Sequence, residues 1–192
     1  MKKLIGAILA ISCLSGAAFA APTHGSRSQA LLRGRMLWLG VDTEFGIPLG
    51  NYSDANSVGY GAVFTAEYAL LERLGATARI GFEGHMDRAI GANLSAHVHA
   101  IPVLLGTKYY IGPDHSGLFG AFELGLFDLM SSRDTSPTAS TTSNDVKFGM
   151  GVGIGIQQDR WNVRLNMHTQ DVGSFGNALM LSGGLGYQFY GL

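Results

Sequence analysis

The segment 146–157, Val-Lys-Phe-Gly-Met-Gly-Val-Gly-Ile-Gly-Ile-Gln, carries a large apolar side chain at every second position: Val146, Phe148, Met150, Val152, Ile154 and Ile156. Glycine or a polar residue fills each position between them. A period of two is the period of a β-strand. A soluble sheet covers its wet face with Lys, Glu, Thr and Ser. Here that face is mostly glycine, which suits a crowded interior, with the apolar face turned to something larger than a small core. The usual strand has about 5 or 6 residues, whereas a tilted strand needs about 9 to 11 to cross a bilayer. This segment therefore predicts a lipid-facing strand of a small closed barrel.

The N-terminus fits export to such a site. Met1-Lys2-Lys3 precedes an apolar run from Leu4 to Leu14, and Ala18-Phe19-Ala20 closes the stretch. A basic start, a short apolar run and a small-x-small site describe a secretory signal peptide over 1–20. Cys13 is a weak lipid-attachment candidate, because Ala10-Ile11-Ser12 before it fits that signal poorly. Cleavage after Ala20 takes 20 of the 192 residues, leaving 172 with no cysteine. It also removes Lys2 and Lys3, moving the formal charge from −1 to −3, a balance that argues against a nucleic-acid partner. An exported domain without disulfides must be held by its own sheet. Residues 21–34, polar and basic, read as a periplasmic arm ahead of a barrel over 35–192.

Taken in order, the rest of the chain yields seven further strands. The first, 35–48, places Leu37, Leu39, Val41, Thr43 and Phe45 on one face and Trp38, Gly40, Asp42, Glu44 and Gly46 on the other. Carboxylates cannot face lipid, so the second face is the lumen. Strands at 58–70 and 76–86 repeat the pattern, with Glu67, Thr77, Arg79, Glu83 and His85 inward. The fourth, 94–111, is less tidy. Its first half puts His97 and His99 inward and Val98, Ala100, Pro102 and Leu104 outward, yet Ile101, Val103 and Leu105 then also fall inward, so a bulge near Pro102 is expected. Strand five, 118–130, points Glu123 inward. The Ser/Thr-rich stretch 131–145 has no periodicity and reads as the longest exposed loop. After the opening segment, Asn162, Arg164, Asn166 and His168 face inward on 161–169, and a last strand follows 171–177. Short turns near 72, 114 and 159 alternate with longer loops, the asymmetry of an outer-membrane barrel. Tyr60, Tyr68, Tyr110, Trp161, Tyr187 and Phe189 are expected to supply its aromatic girdles.

Four stretches, Phe45–Gly50, Ile101–Tyr110, Phe119–Leu126 and Gly184–Phe189, resemble the small eight-stranded outer-membrane β-barrel family. The resemblance implies an all-β, antiparallel up-and-down barrel in contact with outer-membrane lipid and lipopolysaccharide, inserted by the outer-membrane assembly machinery. Envelope or surface proteins are the partners it suggests. Such barrels commonly end in an aromatic residue, whereas this chain ends Phe189-Tyr190-Gly191-Leu192. Family membership does not choose a function.

An eight-stranded lumen holds side chains or one small ligand. Asp42, Glu44, Glu67, Arg79, Glu83, Glu123, Lys147 and Arg164 all fall inward by parity, with both signs present, and predict an ion-paired filling. No cofactor is expected. A hairpin centred near residue 91 sets Glu83 opposite His99 and His85 opposite His97, with Ser95 on the same face. Three imidazoles and a carboxylate are a donor set for a divalent metal, or a group titrating near neutral pH. A lipid A-modifying enzyme is the alternative from another class. Barrel deacylases carry His-x-Ser on one strand, and Ser95-Ala96-His97 has the reverse order. The primary expectation is a structural or surface-interaction barrel that is not an enzyme, with a narrow channel for a small apolar compound as the remaining alternative.

Overall fold

The computed structural model describes residues 36–91, 94–136 and 139–191, so the expected leader over 1–20 and arm over 21–34 lie outside the described residues. Nine strands run in chain order: β1 (Leu37–Pro48), β2 (Gly59–Leu71), β3 (Leu74–His85), β4 (Arg88–Gly91), β5 (Leu94–Tyr110), β6 (Gly117–Ser136), β7 (Ala139–Gln158), β8 (Trp161–Thr169) and β9 (Leu179–Gly191). Each pairs antiparallel with its neighbours. Pairing of β1 with β9 and of β3 with β5 joins the two ends of the sequence-ordered sheet into a ring. Short β4 continues the stave begun by β3, so the closed barrel has eight staves. No described helix is long and apolar enough to cross a membrane.

Why these residues make staves is visible in their alternation. Along β1 the even positions Trp38 to Pro48 are all buried, while Val41, Phe45 and Ile47 are exposed. Around the wall the outward set is almost wholly aliphatic or aromatic, with Ile154 65% and Leu105 63% exposed. Side chains like these stay on the outside only where the surroundings are themselves apolar.

Inside, bulk and glycine alternate around the circumference. Asp42 pairs across strands with Gly186, Glu44 with Gly184 and Gly61, Glu83 with Gly61, and His85 with Gly59. Glu123 pairs with Gly106 and Gly151, Arg164 with Gly155 and Gly184, and Asn166 with Gly153. A Cβ added to Gly106 would lie 2.7 Å from the Glu123 side chain, and one on Gly151 2.8 Å from His168. The glycine face of β7 is thus the space into which Phe119, Asn166, His168 and Phe127 extend.

Three sequence expectations need correction. First, β5 keeps one facing throughout: it pairs with β6 without a break from Ala96↔Arg133 to Tyr110↔Phe119, and no bulge occurs at Pro102. Ala100, Pro102, Leu104 and Tyr110 are the buried set, while Val103, Leu105 and Tyr109 are exposed. Tyr110 is therefore not a girdle residue. The alternation failed here because both faces are apolar, one meeting lipid and the other packing Ala100 and Leu104 on Phe127. Second, the register of β3 on β5 is one residue from a symmetric turn, Glu83 facing Ala100, and it shifts again to Arg88↔Ala96 on β4. One residue of slip carries every side chain to the other face. Third, the stretch 131–145 is not a loop. The β6 and β7 ladder continues through it to Ser136↔Ala139. Residues 141–146 are exposed on both faces, so no apolar period marks them, and the Thr-rich chain suits a strand.

Candidate functional site

The lumen is filled in three tiers. In the middle tier Arg79, reaching in from β3, pairs with Glu44 and Asp42 of β1, the latter at 3.6 Å, and with Glu123 of β6 at 3.0 Å. Arg164 on β8 meets the same Glu123 oxygen at 2.7 Å. Asn162 donates to Asp42 at 3.1 Å. Each of these charged groups is buried. Their strands place them there by parity, and the glycines beside them leave the room.

Toward the short turns, Glu67 gathers Lys108 Nζ at 3.2 Å, the Tyr110 hydroxyl at 2.7 Å and His115 Nδ1 at 3.2 Å. His115 also bonds the Leu71 carbonyl through Nε2 at 2.7 Å, and its ring lies 5.6 Å from Trp38 and 5.0 Å from Tyr110. Asp114 and His115 both take left-handed φ values, 62° and 52°, and that turn drives the imidazole into the barrel end.

Toward the long loops, helix α1 (Tyr52–Ala55) folds over the mouth. The Tyr52 hydroxyl donates to Gln170 at 2.7 Å, and Gln170 Nε2 donates to Glu83 at 3.1 Å. Burial first, and then the Glu83 charge, push the Tyr52 phenol above its ordinary value. The edge of the Tyr52 ring meets His85 at 5.6 Å. His85 Nδ1 bonds the Val98 carbonyl at 2.6 Å and its Nε2 contacts the Met180 sulfur at 3.2 Å. Buried Asn56 accepts the Val98 N–H at 2.9 Å, tying the loop to β5.

Of the sequence-derived lumen set, Asp42, Glu44, Arg79, Glu123 and Arg164 are joined in one ion-paired group, and Glu67 forms a second. Lys147 joins neither. It sits at the rim, 37% exposed, with Asp145 at 2.8 Å and Asp171 at 3.8 Å, because β7 has there risen past the end of β8. The Glu83, His85, His97 and His99 cluster does not exist as one site. Glu83 and His85 face the lumen, whereas His97 and His99 lie on the outer face, their rings 4.5 Å apart, with Asp87 bonding His97 at 2.7 Å and Phe82 beside His99. Among the described residues no three His, Cys, Asp or Glu side chains converge as metal ligands. Lys108 was missed because the facing of β5 was misread. His115, Tyr52 and Gln170 were missed because turns carry no period.

The sequence matches the model of the outer membrane protein beta-barrel domain over residues 7–189. No curated protein matches it. Among solved structures, the N-terminal β-barrel domain of Pseudomonas aeruginosa OprF is similar with a TM-score of 0.56 and 13% identity, over 81% of this chain and 99% of that one. Ail, the attachment invasion locus protein of Yersinia pestis, gives 0.54 and 11% over 81% and 97%. Neisserial surface protein A gives 0.51 and 14% over 80% and 97%. At such identities the structural likeness is one of fold, and it agrees with the eight-stave ring and its apolar outer wall. The family match over nearly the whole sequence takes the assignment further: this chain belongs to the outer membrane protein β-barrel domain family and resides in the outer membrane.

Proposed function

We propose that the protein is a non-enzymatic barrel that works at the outer surface, offering the projecting edge of β7 to a partner protein. The observation behind this reading is the unequal height of the staves. β6 and β7 stay paired to Ser136↔Ala139, whereas β8 pairs with β7 only as far as Met150↔Thr169. The 3-10 segment Val172–Asn177 lies beside β7 near that point, and among the described residues no strand pairs with 139–146 on that side. An unpaired strand edge presents a row of N–H and C=O groups to any extended segment that can add to it. Ser, Thr, Asn and Asp on both faces keep such an edge soluble until it is used.

The filled lumen supports the same reading, since Arg79, Glu123 and Arg164 occupy the path a solute would take. The lipid-modifying alternative loses its constellation, as its four residues fall on two sides of the wall. Ail has been solved with the heparin analogue sucrose octasulfate. The described part of this edge, with Asp145 and its neutral hydroxyls, suits a peptide strand better than a polyanion.

The test is a Thr142→Pro, Asn144→Pro double substitution, which removes two donors that point away from β6 to the open edge. Cells displaying the variant should keep normal lipid A and a folded barrel while losing adhesion to target cells. Adhesion equal to that of the native protein would sink the proposal.

A further inference from the structure

We propose that the outer half of the lumen binds one divalent cation of the hard, oxygen-preferring class, held between Glu44, Glu83 and Ser182. The argument begins with charge. In the middle and outer tiers the described residues bring four buried carboxylates, Asp42, Glu44, Glu83 and Glu123, against two guanidinium groups, Arg79 and Arg164. With all four carboxylates ionised and His168 neutral, two negative charges would be in excess, a balance that a bound cation or protons must restore. Arg79 pairs with Asp42, Glu44 and Glu123, and Arg164 with Glu123, so no arginine pairs with Glu83. Its nearest basic atom is His168 Nε2 at 3.8 Å, which makes no hydrogen bond. Excess buried charge inside a membrane-embedded wall is costly unless something positive joins it.

Geometry shows where that charge belongs. Glu44 and Glu83 lie on one row of the wall with only Gly61 between them. On the next row outward stands Ser182, followed by Gly46 and Gly59. The three glycines line a small crevice bordered by Glu44, Glu83, Ser182 and Met180, with the Met180 methyl lying over Gly46 and the His85 ring over Gly59. Ser182 is 2% exposed, and its hydroxyl has no hydrogen-bond partner, an independent mark of a missing ligand in this crevice. Glu44 bonds Arg79 through Oε1 and Glu83 bonds Gln170 through Oε2, so each keeps a second oxygen for the crevice. The donors are oxygens, the Met180 sulfur nearby being in contact with His85. Hard cations take this set: carboxylates, a hydroxyl, and water for the remaining positions. A charge of two matches the excess.

Full-length protein, folded in detergent after chelator treatment and free of lipopolysaccharide, is titrated with calcium chloride and separately with magnesium chloride. Heat and stoichiometry are read by calorimetry, and the unfolding temperature by gel migration. The expected result is one ion per chain for at least one of the two salts and a higher unfolding temperature in its presence. Glu83→Gln should abolish both effects, and Ser182→Ala should weaken binding by roughly tenfold, the scale on which loss of a supporting group lowers metal affinity. Two results would overturn the proposal. Native protein that takes up neither ion overturns it, and a Glu83→Gln variant more stable than the untreated native chain would then show that a proton neutralises the site instead. Uptake of one ion that Ser182→Ala leaves unchanged would place the ion elsewhere on the barrel, and this arm holds even if Glu83→Gln fails to fold.

Discussion

Arg79 is the residue on which the middle of the lumen depends, because one planar guanidinium meets carboxylates from two strands at once. Replacing it by leucine leaves Asp42 and Glu44 with no ion pair among the described residues and Glu123 with Arg164 alone. Breaking a buried pair by removing one partner costs about 3 to 5 kcal/mol, so Arg79→Leu should lower the urea midpoint of the detergent-folded barrel by a corresponding amount. Arg79→Lys should recover only part of it, since an ammonium cannot match the fork geometry. This group was legible in the sequence from parity alone: a carboxylate or guanidinium on an alternating strand has only one face it can occupy in lipid. The histidines were not legible. His97 and His99 differ from lumen residues only by a one-residue register step, set by the irregularity between β3 and β4 that no turn motif announces. His115 reaches the interior from a turn, where hydropathy carries no information about direction.

At the level of the strand, β7 shows how an element is specified by what it lacks. Its inward glycines are occupied volume of their neighbours: a Cβ on Gly155 would meet the Phe119 ring, and one on Gly153 the Asn166 amide. Overpacking a filled interior typically costs about 1 to 3 kcal/mol. Gly155→Leu is therefore expected to destabilise the barrel by that order in urea titration, while Ile154→Leu, one position away and facing lipid, should change little. The glycine alternation predicted the strand and its facing correctly. What it could not predict was where β7 begins. Alternation records contact with a bilayer on one side, and the ladder from Ser136↔Ala139 to Asp128↔Val146 stands where both sides are wet. Strand β5 fails in the opposite sense, both sides of its central part being apolar.

For the whole molecule, the ring of eight staves, sealed near the short turns by Glu67 and His115 and near the long loops by Tyr52 and Gln170, is a plugged cylinder. Two outcomes are expected from one preparation. Protein taken from the outer-membrane fraction should migrate differently before and after boiling, because a closed ladder resists detergent. Reconstituted in a planar bilayer, it should show no steady conductance, and porin-like current steps would contradict the filled lumen. The stave count was readable because eight alternating runs, an even number, are separated by turn-forming stretches, even though the runs differ in length. The contents of the mouth were not, since they come from side chains in loops. The tall β6 and β7 pair has a mechanical consequence as well. Hydrogen bonds in an antiparallel ladder lie across the strand axis, so a pull on the tip along that axis loads the rungs to β5 and β8 together, in shear, and spreads the force around the ring. A surface contact made at the tip would then be anchored against tension by the transmembrane wall itself, with no tether beneath the membrane needed to bear the load.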